Sequence, residues 1–133
     1  MTVGLDTSVV LRLLVGQPAD QTRRAVTFLD DLARRGGRAE VSDLVVAETY
    51  FALHHHYAVP KREALAALRQ MFAEGEVQSA GVAAAVLMAE GVALASAKPG
   101  LVDRLIHAAY RTAGGSMATF EKASGKLASV QLL

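Results

Sequence analysis

Residues 2–14 read TVGLDTSVVLRLL. Thr2 to Leu5 is short, apolar and β-branched enough for a strand. Asp6-Thr7-Ser8 is a run of capping residues, and Thr7 to Leu14 predicts a short helix stopped by Gly16 and Pro18. Asp6 therefore stands between two segments that both favour burial. A helix cap explains a carboxylate at such a junction, because Asp is among the preferred N-cap residues. A metal site explains it equally well, and the junction alone does not choose.

Working outward, strand-like and helical patterns continue to alternate. Asp20 reads as an N-cap for a helix running to Arg35, with Ala25, Phe28, Leu29 and Leu32 at helical spacing and Gly36-Gly37 as the stop. Ala39 to Val41 is a second strand candidate. Ser42 or Asp43 can cap the helix that follows, which extends to about Tyr57. Pro60 opens another helix that Gly75 ends. Glu76 to Ser79 is a third strand candidate, Val82 to Ser96 an Ala-rich helix, and Leu101 to Ala113 a further helix closed by Gly114-Gly115. Ser116 to Ala118 and Ser129 to Leu132 complete the strands. Such alternation predicts an α/β domain with a mainly parallel sheet and helices on both faces. Ligands in these folds gather beyond the carboxyl ends of the strands, where Asp6 and Glu121 both fall.

Composition narrows the function. The 133 residues suit one compact domain, and 52% are hydrophobic, enough for a sizeable core without crosslinks. Cysteine is absent, which excludes disulfides and thiolate sites. A net charge of +1 argues against a nucleic-acid binder that works by bulk charge. The clusters Arg23-Arg24, Arg34-Arg35 with Arg38, and Lys61-Arg62 read as solvated helix faces. Aromatic residues are only 5%, too few for an extended stacking platform. There is no signal-peptide pattern and no apolar run of membrane-spanning length, so a cytoplasmic protein is expected.

Four acids stand in awkward places. Glu48, in SDLVVAETYFAL (42–53), has Leu44, Val45, Phe51 and Ala52 as its neighbours three and four positions away. It should share the buried face, where a lone carboxylate costs several kcal/mol unless paired, protonated or metal-bound. Asp103, in PGLVDRLIHAAY (99–110), begins a helix whose Ile106 and alanines suggest a partly inward face. Glu121 follows the strand candidate ending at Ala118. Carboxylates within about 5 Å repel by roughly 3 kcal/mol per pair at an effective dielectric near 20. A hard divalent cation offsets that, since Mg²⁺ and Mn²⁺ prefer oxygen ligands, and it also supports phosphodiester chemistry.

At these residues the chain resembles the PIN-domain ribonucleases, and among them the VapC-type toxins of toxin–antitoxin modules. LDTSVVLRLL, VVAETYFALHHHYAV, VDRLIHAAY and ATFEKASGKLASVQLL carry the resemblance in that order, over nearly the whole chain. It implies a three-layer α/β/α domain over residues 1–133 and an Mg²⁺- or Mn²⁺-dependent endoribonuclease acting on single-stranded regions of tRNA or rRNA. It implies a homodimer restrained by a cognate antitoxin. Asp6, Glu48 and Asp103 fall on the family's acidic positions as metal ligands and catalytic groups, and Glu121 falls where Asp is usual. Thr7 or Ser8, and Thr119, fall on polar positions beside the site. By the same resemblance, Asp6 and Asp103 hold the cation, Glu48 ligates it or accepts a proton from the attacking water, and Glu121 positions water or a second ion. The products are a 5′-phosphate and a 3′-hydroxyl. Two departures stand out. Glu121 carries its carboxylate about 1.5 Å beyond an Asp, and Gly100 stands where many relatives have a further Asp.

Other features are set aside. His54-His55-His56 fan out by about 100° per residue and cannot chelate one ion together. His107 shares a helix face with Asp103 and reads as a satisfied, partly buried histidine. Arg12 and Arg104 lie close to the acids, free to pair with a carboxylate or a phosphate. Phosphatases of the haloacid-dehalogenase type need an acid two residues after the first Asp, but position 8 is Ser. A receiver domain lacks its Asp-plus-Lys arrangement here, and P-loop and dinucleotide fingerprints are absent. The remaining rival is a catalytically weak PIN domain that binds RNA or a partner protein.

Overall fold

The computed structural model describes all 133 residues. In chain order the elements are β1 (Thr2–Gly4), α1 (Thr7–Val15), α2 (Ala19–Arg34), β2 (Arg38–Val41), α3 (Asp43–His55), α4 (Lys61–Glu74), β3 (Val77–Ser79), α5 (Ala83–Met88), α6 (Leu101–Thr112), β4 (Met117–Thr119), a 3₁₀ turn (Lys122–Lys126) and β5 (Val130–Leu132). The strands β1, β2 and β3 pair in that order, all parallel, with Val3 opposite Ala39 and Ala39 opposite Val77. Helices flank this sheet in the three-layer α/β/α arrangement.

Each junction has a local cause. Asp6 and Ser42 N-cap α1 and α3 through their side chains. Gly16 and Gly75 end α1 and α4 in left-handed conformations, φ +79° and +82°, that glycine adopts without steric cost. Along β2, buried Ala39 and Val41 alternate with half-exposed Glu40. The main core packs Val10, Leu32, Val41, Val46, Leu68 and Leu101, so that α1 to α4 and α6 all meet β2 or one another there. A smaller cluster of Leu11, Ala52, Leu53 and Ala64 ties α1, α3 and α4.

Three expectations need correction, and one element is additional. The strands do not form one sheet: β4 and β5 pair with each other, parallel and separate from β1–β3. Strand patterns mark where strands lie, whereas the helices between them decide which ones meet. The helix expected from Val82 to Ser96 stops at Met88. Ala89 turns extended, Gly91 takes φ +76°, and the chain then loops so that Leu94 reaches the core. Asp20 lies in the first turn of α2, and Pro18 occupies the cap position. The 3₁₀ turn after Glu121 was not anticipated.

Asp43 ties two distant helix starts together. Its Oδ1 accepts from Val82 N–H and Ala83 N–H, both at 3.0 Å, and its Oδ2 accepts from Val82 N–H at 3.2 Å. Thus the start of α3 caps the start of α5 across 39 residues. Gly81 makes room for it, since a Cβ there would sit 2.5 Å from Asp43 Oδ2. Asp43→Ala should lower unfolding free energy by about 1–3 kcal/mol in urea titration, and Gly81→Ala should destabilise in the same direction. The opposite sign is expected at Thr49, which is buried with a hydroxyl that has no hydrogen-bond partner. Thr49→Val removes that unpaired group and should raise stability by about 1 kcal/mol in the same titration.

Candidate active site

Asp6 emerges from the carboxyl end of β1 with extended backbone, φ −79° and ψ 159°. Its Oδ1 accepts from Thr7 N–H at 2.8 Å and its Oδ2 from Ser8 Oγ–H at 3.2 Å. Capping is therefore what this carboxylate does within the protein. Each oxygen keeps a second lone-pair direction, and the residue is exposed, so the cap leaves it able to take a further partner. Thr7 is buried beneath it, whereas Ser8 is exposed.

Glu48 corrects the reading of α3. It is exposed, as are Leu44 at 83% and Phe51 at 55%. The buried stripe is instead Val46, Thr49, Ala52 and Leu53. This helix is apolar nearly all round, so periodicity offered two faces, and the one without the carboxylate is packed. Asp103 lies in the first turn of α6, exposed, after Gly100, which supplies no side-chain cap. A carboxylate is favoured there by the helix dipole. The inward face expected from Ile106 is not found: Ile106 is 47% exposed, and Leu101 and Leu105 are the buried pair. Glu121 is exposed just after β4, and its N–H donates to Thr119 Oγ1 at 3.0 Å, which spends that hydroxyl within its own turn.

The four acids share exposure but not a common pocket. Asp6 lines a cavity of about 440 Å³ between α1 and α2. Asp103 lines a different one of about 260 Å³, with Tyr50, Phe51, His54 and Lys61. Glu48 lines neither. None of the four is in an ion pair, and the chain's single salt bridge joins Arg34 and Asp31 on α2. Carboxylate oxygens are the right donors for a hard divalent cation. Their placement, however, does not assemble a centre, because no group of three His, Asp or Glu side chains is arranged to hold a metal ion.

The neighbouring basic residues are largely structural. Arg104 Nε donates to the Pro99 carbonyl at 2.7 Å, clamping the start of α6. The His107 ring bonds the Ala128 carbonyl at 2.7 Å, and His54 Nδ1 lies 3.0 Å from the Val59 carbonyl. His55 packs on Phe51 with ring centroids 4.3 Å apart. Sequence reasoning did not single out Tyr50, Gln21 or Phe28 as cavity residues, and it read Arg24 as part of a solvated face. Only the packing of α1 on α2 and of α3 near α6 brings them beside the acids.

The sequence profile of the PIN domain matches residues 3–129. PIN domains form a superfamily of nucleases and typically use divalent metal ions. No curated protein and no solved structure matches the chain.

Tyr50 offers a probe of the pocket beside Asp103. Burial pushes its phenol above the ordinary tyrosine value by disfavouring the phenolate. The folded state thus holds this proton longer than the unfolded state. Its contribution to stability is complete below the unfolded value of about 10 and is lost as pH rises through the folded one. Alkaline absorbance titration should show one of the three tyrosines ionising late, and Tyr50→Phe should remove that component.

Proposed function

We propose that the chain, which belongs to the PIN domain family, is a divalent-cation-dependent endoribonuclease of the VapC type, the toxin of a type II toxin–antitoxin module. The family match over residues 3–129 is the observation that supports a nuclease. The finer reading rests on the resemblance of the four acidic stretches and on their order. RNA is the substrate, of the tRNA or rRNA class. Mg²⁺ or Mn²⁺ is the cofactor, with Asp6, Glu48 and Asp103 as its oxygen donors and Glu121 beside them, and Thr7, Ser8 and Thr119 support the site. A homodimer, a cognate antitoxin and a cytoplasmic location belong to the same proposal. No helix is long and apolar enough to cross a membrane.

The chain's own groups favour this use of Asp6. The carboxylate is held at a strand end by two hydrogen bonds, is exposed, and has no cationic partner competing for it. A second reading has its own support. The acids are not gathered into a group of three, and Glu121 and Gly100 depart from the resemblance. These points favour a catalytically weak PIN domain that binds RNA or protein.

Asp6→Asn separates the readings, because Asn caps a helix as well as Asp and leaves the fold intact. Wild-type protein should cut total RNA in Mg²⁺ or Mn²⁺ and stop in EDTA. The variant should be slower by on the order of 100-fold, or about 2.7 kcal/mol in the barrier. Equal rates for variant and wild type overturn the nuclease. Mn²⁺ binding by calorimetry without any cleavage supports the binding module.

A further inference from the structure

We infer that the cavity beside Asp6 is a nucleotide subsite. Arg12 and Arg24 receive a backbone phosphate of single-stranded RNA, and Val9, Ala25 and Phe28 form an apolar wall for the adjoining base. The choice of RNA rests on the nuclease reading above; the site itself rests on the cavity.

Helix α2 presents Gln21, Arg24, Ala25 and Phe28 to this cavity, at spacings of three, four and seven that define one helical face. Helix α1 presents Val9 and Arg12 from the opposite side. The volume of about 440 Å³ lies within the range of small-ligand sites. Its chemistry is divided: an apolar wall and two guanidinium groups.

The charges do not cancel inside the protein. Arg12 Nε donates to Gln21 Oε1, which orients the guanidinium and leaves its terminal nitrogens to face other partners. Neither arginine is in an ion pair, and Asp6 is the sole acid on the lining. The lining therefore carries a net positive charge, and two forked guanidinium donors match a phosphate's planar-pair geometry. A free anion would need only the arginines, whereas a nucleotide also uses the apolar wall. Asp6 on the rim makes the cavity contiguous with the candidate active site, so the nucleotide held here is next to the one at Asp6.

The adjacent pair Arg23-Arg24 supplies the test, since only Arg24 lines the cavity. Each substitution by Ala removes one positive charge from the same exposed helix. The probe is a fluorescein-labelled 2′-O-methyl oligoribonucleotide, checked intact on a gel, with binding read by fluorescence anisotropy across a salt series. Arg24→Ala should weaken binding about tenfold and reduce the slope of log affinity against log salt by about 0.7, one phosphate contact on a single strand. Arg23→Ala should leave both unchanged. Equal losses in the two variants, or no probe binding by wild type at micromolar protein, overturn the subsite. Cleavage of total RNA by wild type is run in parallel. An Arg24-specific loss of binding without cleavage sinks the nuclease and keeps the subsite. Cleavage with Arg23→Ala and Arg24→Ala equal in binding does the reverse.

Discussion

Parallel pairing of three very short strands is the constraint on which the rest of the structure depends. Parallel neighbours cannot be joined by a tight turn, so each strand must be followed by a helical crossover before the next can pair. Strands of three or four residues bury little by themselves, and isolated helices of nine to sixteen residues are marginal in water. Neither layer is stable without the other. The same constraint aligns the strand ends. Leu5 N–H bonds the Glu40 carbonyl at 2.8 Å, and Ala80 N–H bonds the Val41 carbonyl at 2.8 Å, so the chain leaves β1, β2 and β3 at one edge. Asp6, Asp43 and Gly81 all stand at that edge, and their polar chemistry follows from leaving a sheet to begin a helix.

Much of this was legible because the chain is heavily punctuated. Gly16 with Pro18, Gly36-Gly37, Pro60, Gly75 and Gly114-Gly115 mark element ends by backbone geometry, a local property that needs no tertiary information. Every strand expected from the sequence is present within a residue or two. What failed was non-local. The end of α5 at Met88 is decided by Leu94 finding the core, and the separation of β4–β5 from β1–β3 by where the intervening helices place them. The one local warning in that alanine-rich stretch is Gly91, which takes φ +76° beyond the helix end; an isolated glycine costs a helix only about 1 kcal/mol, too little to announce the stop by itself.

The candidate site was legible in position but not in environment. Asp6 and Asp103 sit where the sequence put them, at a strand end and in a first helical turn. Glu48 was expected inside the core because its near neighbours are apolar. In α3, however, Val46 and Leu53 pack while Leu44 and Phe51 face out, and the helix turns its charge to water. Exposed apolar side chains beside an exposed acid are weakly penalised, whereas a buried unpaired acid is strongly penalised, so that orientation wins. Periodicity cannot resolve a helix that offers apolar residues on every side.

Exposure changes the energetic character of the acids. Buried together, they would demand a counter-charge as a condition of folding, as a structural metal does. Exposed to water, they cost the fold little, and Asp6 contributes to it by capping α1. Any force that draws them together must then come from a ligand of opposite charge, through its greater affinity for the gathered arrangement. Folding and ligand binding are thereby separated. The helix cap holds Asp6 for structural reasons, and the lone pairs that the cap does not use are the ones turned to solvent chemistry. One carboxylate meets both demands raised by the junction of strand and helix because N-capping consumes only part of its hydrogen-bonding capacity.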